Sequence, residues 1–260
     1  MSHNTEVNKA FWNEQAATYD TRHEKTLAAI VEEIRARREF IGVQWVEDDH
    51  DGDEHGAGNS GKPRRAVRLL DYACGTGTIT RALVPYTTQC VGIDLSEEMV
   101  ATYNARAQNQ GLTKEQASAH HGNLTVPSDP DPPAFAGPDF WDFDVAAVGL
   151  GFHHFDDPEL AAARLARRLR PGGVLLILDF LAYDPLAKWG GGGEQEEQAL
   201  KTVTHHGFTE GRIRSIFEAA GAGEGFGLEV VREVAFGERE EKRRTLFMAR
   251  GTKVVEGGSE

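Results

Sequence analysis

The sequence predicts an α/β protein, with a doubly wound, mainly parallel sheet of seven strands, an antiparallel last strand and a helical cap at the N-terminus. Three observations carry this. Short apolar runs alternate with helical stretches from residue 66 onward, as right-handed βαβ units require. The run Val174-Leu175-Leu176-Ile177-Leu178 is apolar at every position, as expected of a central strand covered on both faces. The last two runs flank a charged turn, 238–243, and read as a pair of strands around it.

The elements follow in order. Residues 8–19 are rich in apolar and aromatic side chains and lack Gly and Pro, so they read as helix. From Glu24, the residues Leu27, Ile30, Val31, Ile34 and Ile41 share one helical face, and this helix is expected to reach Trp45. Strands are expected at 67–71, 90–94, 117–121, 143–150, 174–178, 227–236 and 244–250. A helix near 78–85 follows the first strand. Ser96 caps the next helix, with Glu97 and Glu98 in its first turn. Asp157-Pro158-Glu159 opens a helix to about Arg170, which Pro171-Gly172-Gly173 ends. Its arginines, 164–170, read as a solvated outer face. Thr209 caps a helix whose Ile213, Ile216, Phe217 and Ala220 share a face.

The chain divides into an N-terminal helical cap (1–46), a flexible acidic loop (47–65) and a main domain (66–260) with an insert at 181–208. Residues 47–61 hold six acids and four glycines, and 188–197 hold four consecutive glycines; both read as mobile. The net charge is −13 over 260 residues. Nine acids lie in 47–54 and 194–197, and setting them aside takes the charge to −4. Neither value offers the basic stripe that grips a phosphate backbone, so no nucleic-acid partner is expected. Two cysteines make neither a disulfide framework nor a four-cysteine zinc site. No apolar run approaches the roughly 20 residues that cross a bilayer, and the first residues lack a signal-peptide pattern. A soluble cytoplasmic protein without a membrane partner is expected; its oligomeric state is open.

The informative segment is Leu70-Asp71-Tyr72-Ala73-Cys74-Gly75-Thr76-Gly77-Thr78, which leaves a strand and enters a helix. Glycines there let backbone N–H groups approach a ligand that a Cβ would exclude. The helix N-terminus behind them adds unpaired donors and a positive dipole end. Asp94 ends the next strand, close to the spacing of about twenty residues at which an acid meets a ribose. A purely structural alternative makes Gly75 and Gly77 a tight turn and Asp94 a solvated acid. A nicotinamide loop expects Gly-x-Gly-x-x-Gly, but Thr80 stands at the third position.

The pattern resembles the class I S-adenosylmethionine-dependent methyltransferases, a Rossmann-like family, and within them the small-molecule branch related to the ubiquinone/menaquinone methyltransferases. The resemblance spans roughly 10–20 and 67–236. It implies S-adenosylmethionine as cofactor. Asp71, Ala73, Cys74, Gly75 and Gly77 match the family's Asp-x-Gly-Cys-Gly-x-Gly loop, with Ala73 in place of a glycine. Asp94 matches the ribose acid, with Leu95 and Met99 beside the adenine. Gly122-Asn123, followed by Leu124, stands where the family has Gly-Asp; the Asn123 amide oxygen is expected to accept from the adenine amino group. The fourth motif runs from 143 through Gly149 to His153-His154-Phe155-Asp156-Asp157-Pro158. Phe11-Trp12 and Ala16-Ala17-Thr18-Tyr19-Asp20 resemble the family's closing helix, which places Tyr19 near the cofactor or the acceptor.

Methyl transfer from a sulfonium is an in-line displacement, in which orientation supplies roughly 7–11 kcal/mol of the barrier. A base is needed only for a nucleophile that carries a proton. His153 and His154, at the end of the fourth strand, are candidate bases, with Tyr19 as a further catalytic candidate. Either histidine also suits packing against the next helix. Phe11, Trp12, His206 and Phe208 are candidates for the acceptor pocket, alongside Trp45 and Trp189; His205 and His206 also suit a solvated loop. No metal is expected. Cys74 and Cys90 read as buried packing residues. The expected function is methyl transfer to O, N or S of a small molecule. A protein methyltransferase, a non-catalytic module acting through a partner and a nicotinamide oxidoreductase remain open.

Overall fold

The computed structural model of the chain describes residues 2–46, 65–183, 194–235 and 243–254. The acidic loop 47–61, the glycine run 190–193, Trp189 and the charged turn 238–242 lie outside them.

Seven strands form one sheet in the order β3-β2-β1-β4-β5-β7-β6. They are β1 (Arg68–Tyr72), β2 (Gln89–Asp94), β3 (Ala117–His121), β4 (Phe143–Gly149), β5 (Leu169–Phe180), β6 (Glu224–Val234) and β7 (Arg244–Thr252). The pairs β1–β2, β1–β4, β2–β3 and β4–β5 are parallel, and β7 runs antiparallel to both β5 and β6. The chain order reverses between β1 and β4, where the first strand meets the fourth. Open α/β sheets bind ligands outside the carboxyl ends of the strands at such a point.

Successive strand residues face opposite sides, so alternation builds two cores. Leu69, Val145, Ala147, Leu176 and Leu178 pack with Ile30, Ile34 and Ile79 on one side. Leu70, Ala146, Val148, Leu175 and Ile177 pack with Leu165, Ile213 and Phe217 on the other. The first face is covered by α1 (His3–Ala36), α3 (Thr78–Leu83) and α4 (Glu97–Asn109), the second by α5 (Pro158–Arg168) and α7 (Glu210–Ala219). The caps fall where the sequence puts them. Ser96 accepts from the Met99 N–H, Asp157 from Leu160 and Thr209 from Arg212.

Four expectations are corrected. The N-terminal helices are one element kinked at His23. That element stops at Ala36, and after the short helix α2 (Arg38–Ile41) Gly42, at φ 80°, ends the run before Trp45. Trp45 packs edge-on against Tyr86, away from the cavity described below. Residues 194–201 form a helix, α6 (Glu194–Lys201), where the acid run suggested a mobile insert; Glu, Gln, Ala, Leu and Lys all favour helix. Helix α5 ends at Arg168, and Pro171-Gly172-Gly173 lie within β5, at a register shift against β4.

The fourth correction concerns Arg168, which is not on a solvated face. It is buried and donates from Nη1 to the carbonyls of Phe135 (2.9 Å) and Phe140 (2.8 Å), with its guanidinium over the Trp141 ring. It thereby holds the Pro-rich connection before β4 against α5. Its neighbour Arg167 pairs with Asp131 at the surface. Replacing Arg168 by Met keeps the stem and strips two buried carbonyls of a charged donor. Arg168→Met is expected to cost about 2–4 kcal/mol in urea unfolding, and Arg167→Met less than about 0.5 kcal/mol. Equal losses would refute the bracing role.

Candidate active site

A cavity of about 470 Å³ opens at the carboxyl ends of β1, β2 and β4. Its floor is the loop after β1. Asp71 is buried, and its Oδ2 accepts from the Thr80 N–H (3.1 Å) and hydroxyl (2.8 Å), while Tyr103 donates to the same hydroxyl. This fixes the first turn of α3 under the loop. Gly77 takes φ 91°, and a Cβ there would meet the Tyr103 ring at 2.8 Å, so the position excludes a side chain. Ala73, which stands where the resembled family has glycine, adopts φ 52° and carries that strain into the loop. The space in front of Gly75 is open: a Cβ there would meet nothing within 4 Å.

Asp94 closes the floor. Its Oδ2 accepts from the Gly75 N–H at 2.7 Å and its Oδ1 from the Ser96 N–H at 2.8 Å. Burial pushes its carboxyl up, and those two backbone donors pull it down. Leu95 and Met99 line the wall beside it. Cys74 lines the cavity too, with its thiol pushed well up by burial, as suits a packing residue. Cys90 is fully buried in β2.

Asn123 lines the same end, but its amide oxygen is engaged. It accepts from the Tyr72 hydroxyl (3.0 Å) and from the Thr125 N–H (2.7 Å) and hydroxyl (2.8 Å). The group left for a ligand is Nδ2, a donor, whereas the sequence suggested an acceptor. Gly122 and Leu124 do not line the cavity. Gly122 admits the Phe135 ring, which a Cβ would meet at 2.3 Å, and Leu124 is in the core.

The helix α1 covers the cavity from the other side. Ser2, Thr5, Asn8, Trp12 and Tyr19 line it. Side-chain clusters along its length tie the helix down. Asp156 accepts from Ser2, Asn4 and Thr5. Glu97 accepts from Lys9 (2.8 Å) and Asn13 (3.2 Å). Asp20 accepts from Thr76 (2.7 Å) in the glycine loop and pairs with Arg106, which also donates to the Thr76 carbonyl. Tyr19 packs against Trp12 and His23, and burial pushes its hydroxyl up to about 12.

The two histidines have different surroundings. His153 is buried, with Nδ1 at 2.8 Å from Asp179 Oδ1 and its N–H donating to Oδ2, and it does not line the cavity. His154 lines the cavity, and its Nδ1 lies 2.8 Å from the Thr202 carbonyl. Of the acceptor-pocket candidates, Trp12 lines the cavity. Phe11 packs edge-on against Trp12, His206 against Tyr183, and Phe208 is buried against Phe152. The bridge Leu181↔Phe208 turns that segment toward the sheet and away from the cavity. Gly149 lines the cavity; Gly77 does not, lying beneath it against Tyr103. Sequence reasoning missed Asn8 and the Thr202 carbonyl, and quoted Asp20 and Phe155 within motifs without giving either a role. The i, i+4 spacing of Asn8 and Trp12, whose indole donates to Asn8, was the available signal.

Burial pushes the Asp71 carboxyl up to about 7, against the Thr80 hydrogen bonds that lower it. The folded state then keeps a proton that the unfolded chain releases near 4. Stability from this group is full below about pH 4 and is lost as pH rises through about 7. Asp71→Asn keeps an acceptor for Thr80 and stays neutral. Compared with the parent chain, the variant is expected to gain stability from pH 5 to pH 8, by up to about 1.4 kcal/mol per pH unit crossed. Urea unfolding at the two pH values checks this, and parallel pH profiles would contradict it.

The family described as "Methyltransferase domain" matches residues 19–231. An uncharacterised methyltransferase of Schizosaccharomyces pombe is 32% identical over 159 residues, 60% of this chain and 54% of the relative. The ubiquinone/menaquinone biosynthesis C-methyltransferase UbiE of Erwinia tasmaniensis is 32% identical over 130 residues, 48% of each. The chain spans about half the length of the curated relatives it matches. Among solved structures, a chain from the complex of the Haloferax volcanii Trm112 methyltransferase activator with a methyltransferase has a TM-score of 0.64 at 17% identity. That likeness covers 94% of this chain and 98% of the other. The YcgJ protein of Bacillus subtilis has a TM-score of 0.52 at 18% identity, covering 73% and 93%. With the matched segment taking in the loop after β1, Asp94 and the end of β4, the chain belongs to the methyltransferase-domain family, the class I S-adenosylmethionine-dependent methyltransferases.

Proposed function

We propose that the chain transfers the methyl group of S-adenosylmethionine to an oxygen, nitrogen or sulfur atom of a small molecule. One observation carries the reading: a single cavity joins a glycine loop anchored on Asp94 to an aromatic, histidine-bearing end under α1. Its volume of about 470 Å³ falls in the range of small-molecule sites. The residues fit the cofactor. The open face of Gly75 suits the methionine portion, and the buried Asp94 suits the ribose hydroxyls. Leu95 and Met99 suit the adenine faces, and the Asn123 Nδ2 suits a ring nitrogen of the base. When bound, the cofactor supplies an electrophilic methyl carbon.

The chain's own residues orient and exclude water. Helix α1 borders the acceptor end, where Trp12, Tyr19 and Phe155 offer aromatic faces, and the Thr202 carbonyl holds His154 from behind. His154 and Tyr19 reach that end as acid–base groups, and His153 backs His154. Relatives support a small-molecule acceptor and differ in the atom methylated: UbiE proteins are named as ubiquinone/menaquinone biosynthesis C-methyltransferases, and a Haemonchus contortus phosphoethanolamine N-methyltransferase has a TM-score of 0.52. The [4+2]-cyclase SpnF shares the fold at a TM-score of 0.51, so transfer itself must be measured.

S-Adenosylmethionine at about 100 times its Kd is expected to add about 2.7 kcal/mol, a rise in Tm of several degrees. A shift with NAD and none with S-adenosylmethionine would sink the reading. Methylated product from a panel of phenols, amines, thiols and acids is expected, and cofactor binding without any product would leave a non-catalytic module. Asp94→Ala is expected to weaken the cofactor at least about tenfold by calorimetry. An unchanged Kd would remove Asp94 from the ribose.

A further inference from the structure

The acceptor end of the cavity carries a polar arrangement more specific than the reading above requires. A backbone carbonyl only accepts hydrogen bonds. The Thr202 carbonyl lies 2.8 Å from His154 Nδ1 and also accepts from the Asn8 Nδ2 at 3.2 Å. His154 Nδ1 is therefore the protonated nitrogen. Asn8 is oriented in turn, because its Nδ2 donates to carbonyls and its Oδ1 accepts from the Trp12 indole. The Trp12 ring stands edge-on to the His154 ring at 5.4 Å. His154 Nε2, across the ring from Thr202, has no hydrogen bond to any described residue and belongs to a side chain that lines the cavity.

We infer that His154 Nε2 is a fixed, unprotonated acceptor in the cavity, and that the acceptor molecule is an aromatic hydroxyl compound which donates its O–H to that nitrogen. The inference rests on the methyl-transfer reading above. Burial and the neighbouring His153 hold the His154 pKa well below the usual histidine range, which keeps Nε2 free of a proton near neutrality. The neighbouring Asp156 is already taken up by Ser2, Asn4 and Thr5, which leaves Nε2 as the acceptor beside the aromatic faces. A neutral hydroxyl needs one acceptor, and Nε2 supplies it. Trp12, Tyr72 and Phe155 supply faces for an aromatic ring.

The hydroxyl proton passes to Nε2, and the hydroxyl oxygen forms the new bond to the methyl carbon of S-adenosylmethionine. The carbon–sulfur pair stays on sulfur. The positive charge moves from the sulfonium to the His154 imidazolium, which returns its proton to water. His153, tied to Asp179 at 2.8 Å and lying 4.0 Å from the His154 ring, is a positioning residue.

Two measurements test this. The first uses the full chain without ligand: a long-range proton–nitrogen NMR spectrum at pH 7, with His154 identified by its contacts to Trp12. The expected result is a neutral imidazole protonated at Nδ1; protonation at Nε2 overturns the inference. The second compares 2-naphthol, 2-naphthylamine and 2-naphthalenethiol as acceptors. Transfer to the naphthol oxygen is expected to dominate, and His154→Gln is expected to lower its kcat by about 100-fold or more while S-adenosylmethionine affinity stays within about threefold. Transfer to the amine or the thiol in preference, or full kcat in His154→Gln, overturns the inference and leaves the methyl-transfer reading standing, whereas preferred transfer to a ring carbon overturns the inference and the choice of oxygen, nitrogen or sulfur as target. Failure to bind S-adenosylmethionine at all overturns both. The tautomer is read from the parent chain, so it decides even where the variant does not fold.

Discussion

At the end of β2, the Asp94 carboxylate accepts one N–H from Gly75 in the loop after β1 and another from Ser96 at the start of α4. Three elements meet on this one buried group. A buried carboxylate is costly unless hydrogen-bonded, and the two backbone donors offset that cost while fixing the loop. The loop in turn presents Thr76 to Asp20, and through it the cavity floor is joined to α1. Removing the carboxylate would release the loop, the start of α4 and the roof together. The site therefore depends on Asp94 for shape as well as for any contact with a ligand.

The fold makes this economical. Parallel strands β1 and β4 are neighbours at the point where the chain order reverses, and the helices that follow them, α3 and α5, go to opposite faces, which leaves a crevice at their carboxyl ends. Helix α1 roofs it, tied at Asp156, Glu97 and Asp20, close to its start, its middle and the His23 kink. Each tie crosses from the helix to a different part of the sheet's carboxyl edge. Rim hydrogen bonds of this kind are individually modest, and beyond the His23 kink the same helix is held by Ile30, Val31 and Ile34 in the first core.

The strands, the glycine loop and Asp94 were legible because their signals are local. A strand, a glycine turn and an acid at the end of the next strand are set by spacing along the chain. The N-caps Ser96, Asp157 and Thr209 are local in the same way. What the sequence hid is long-range. Arg168 sits in a row of surface-like arginines, and only the fold brings the Phe135 and Phe140 carbonyls to it. Asn123 suggested an acceptor until Tyr72, distant in sequence, used its oxygen. His153 and His154 are adjacent and alike in sequence, and they separate only when Asp179 claims one and Thr202 the other. Phe208 shows the limit of composition: its aromatic ring serves the core as readily as a pocket.

The most direct test of the account is a crystal structure of the chain with S-adenosylhomocysteine. The expected result places the ribose hydroxyls on Asp94, the adenine against Leu95 and Met99 with Asn123 Nδ2 donating to the ring, and the sulfur facing the end that His154 lines. A ligand bound elsewhere, or bound in the cavity with Asp94 turned from the ribose, would contradict it.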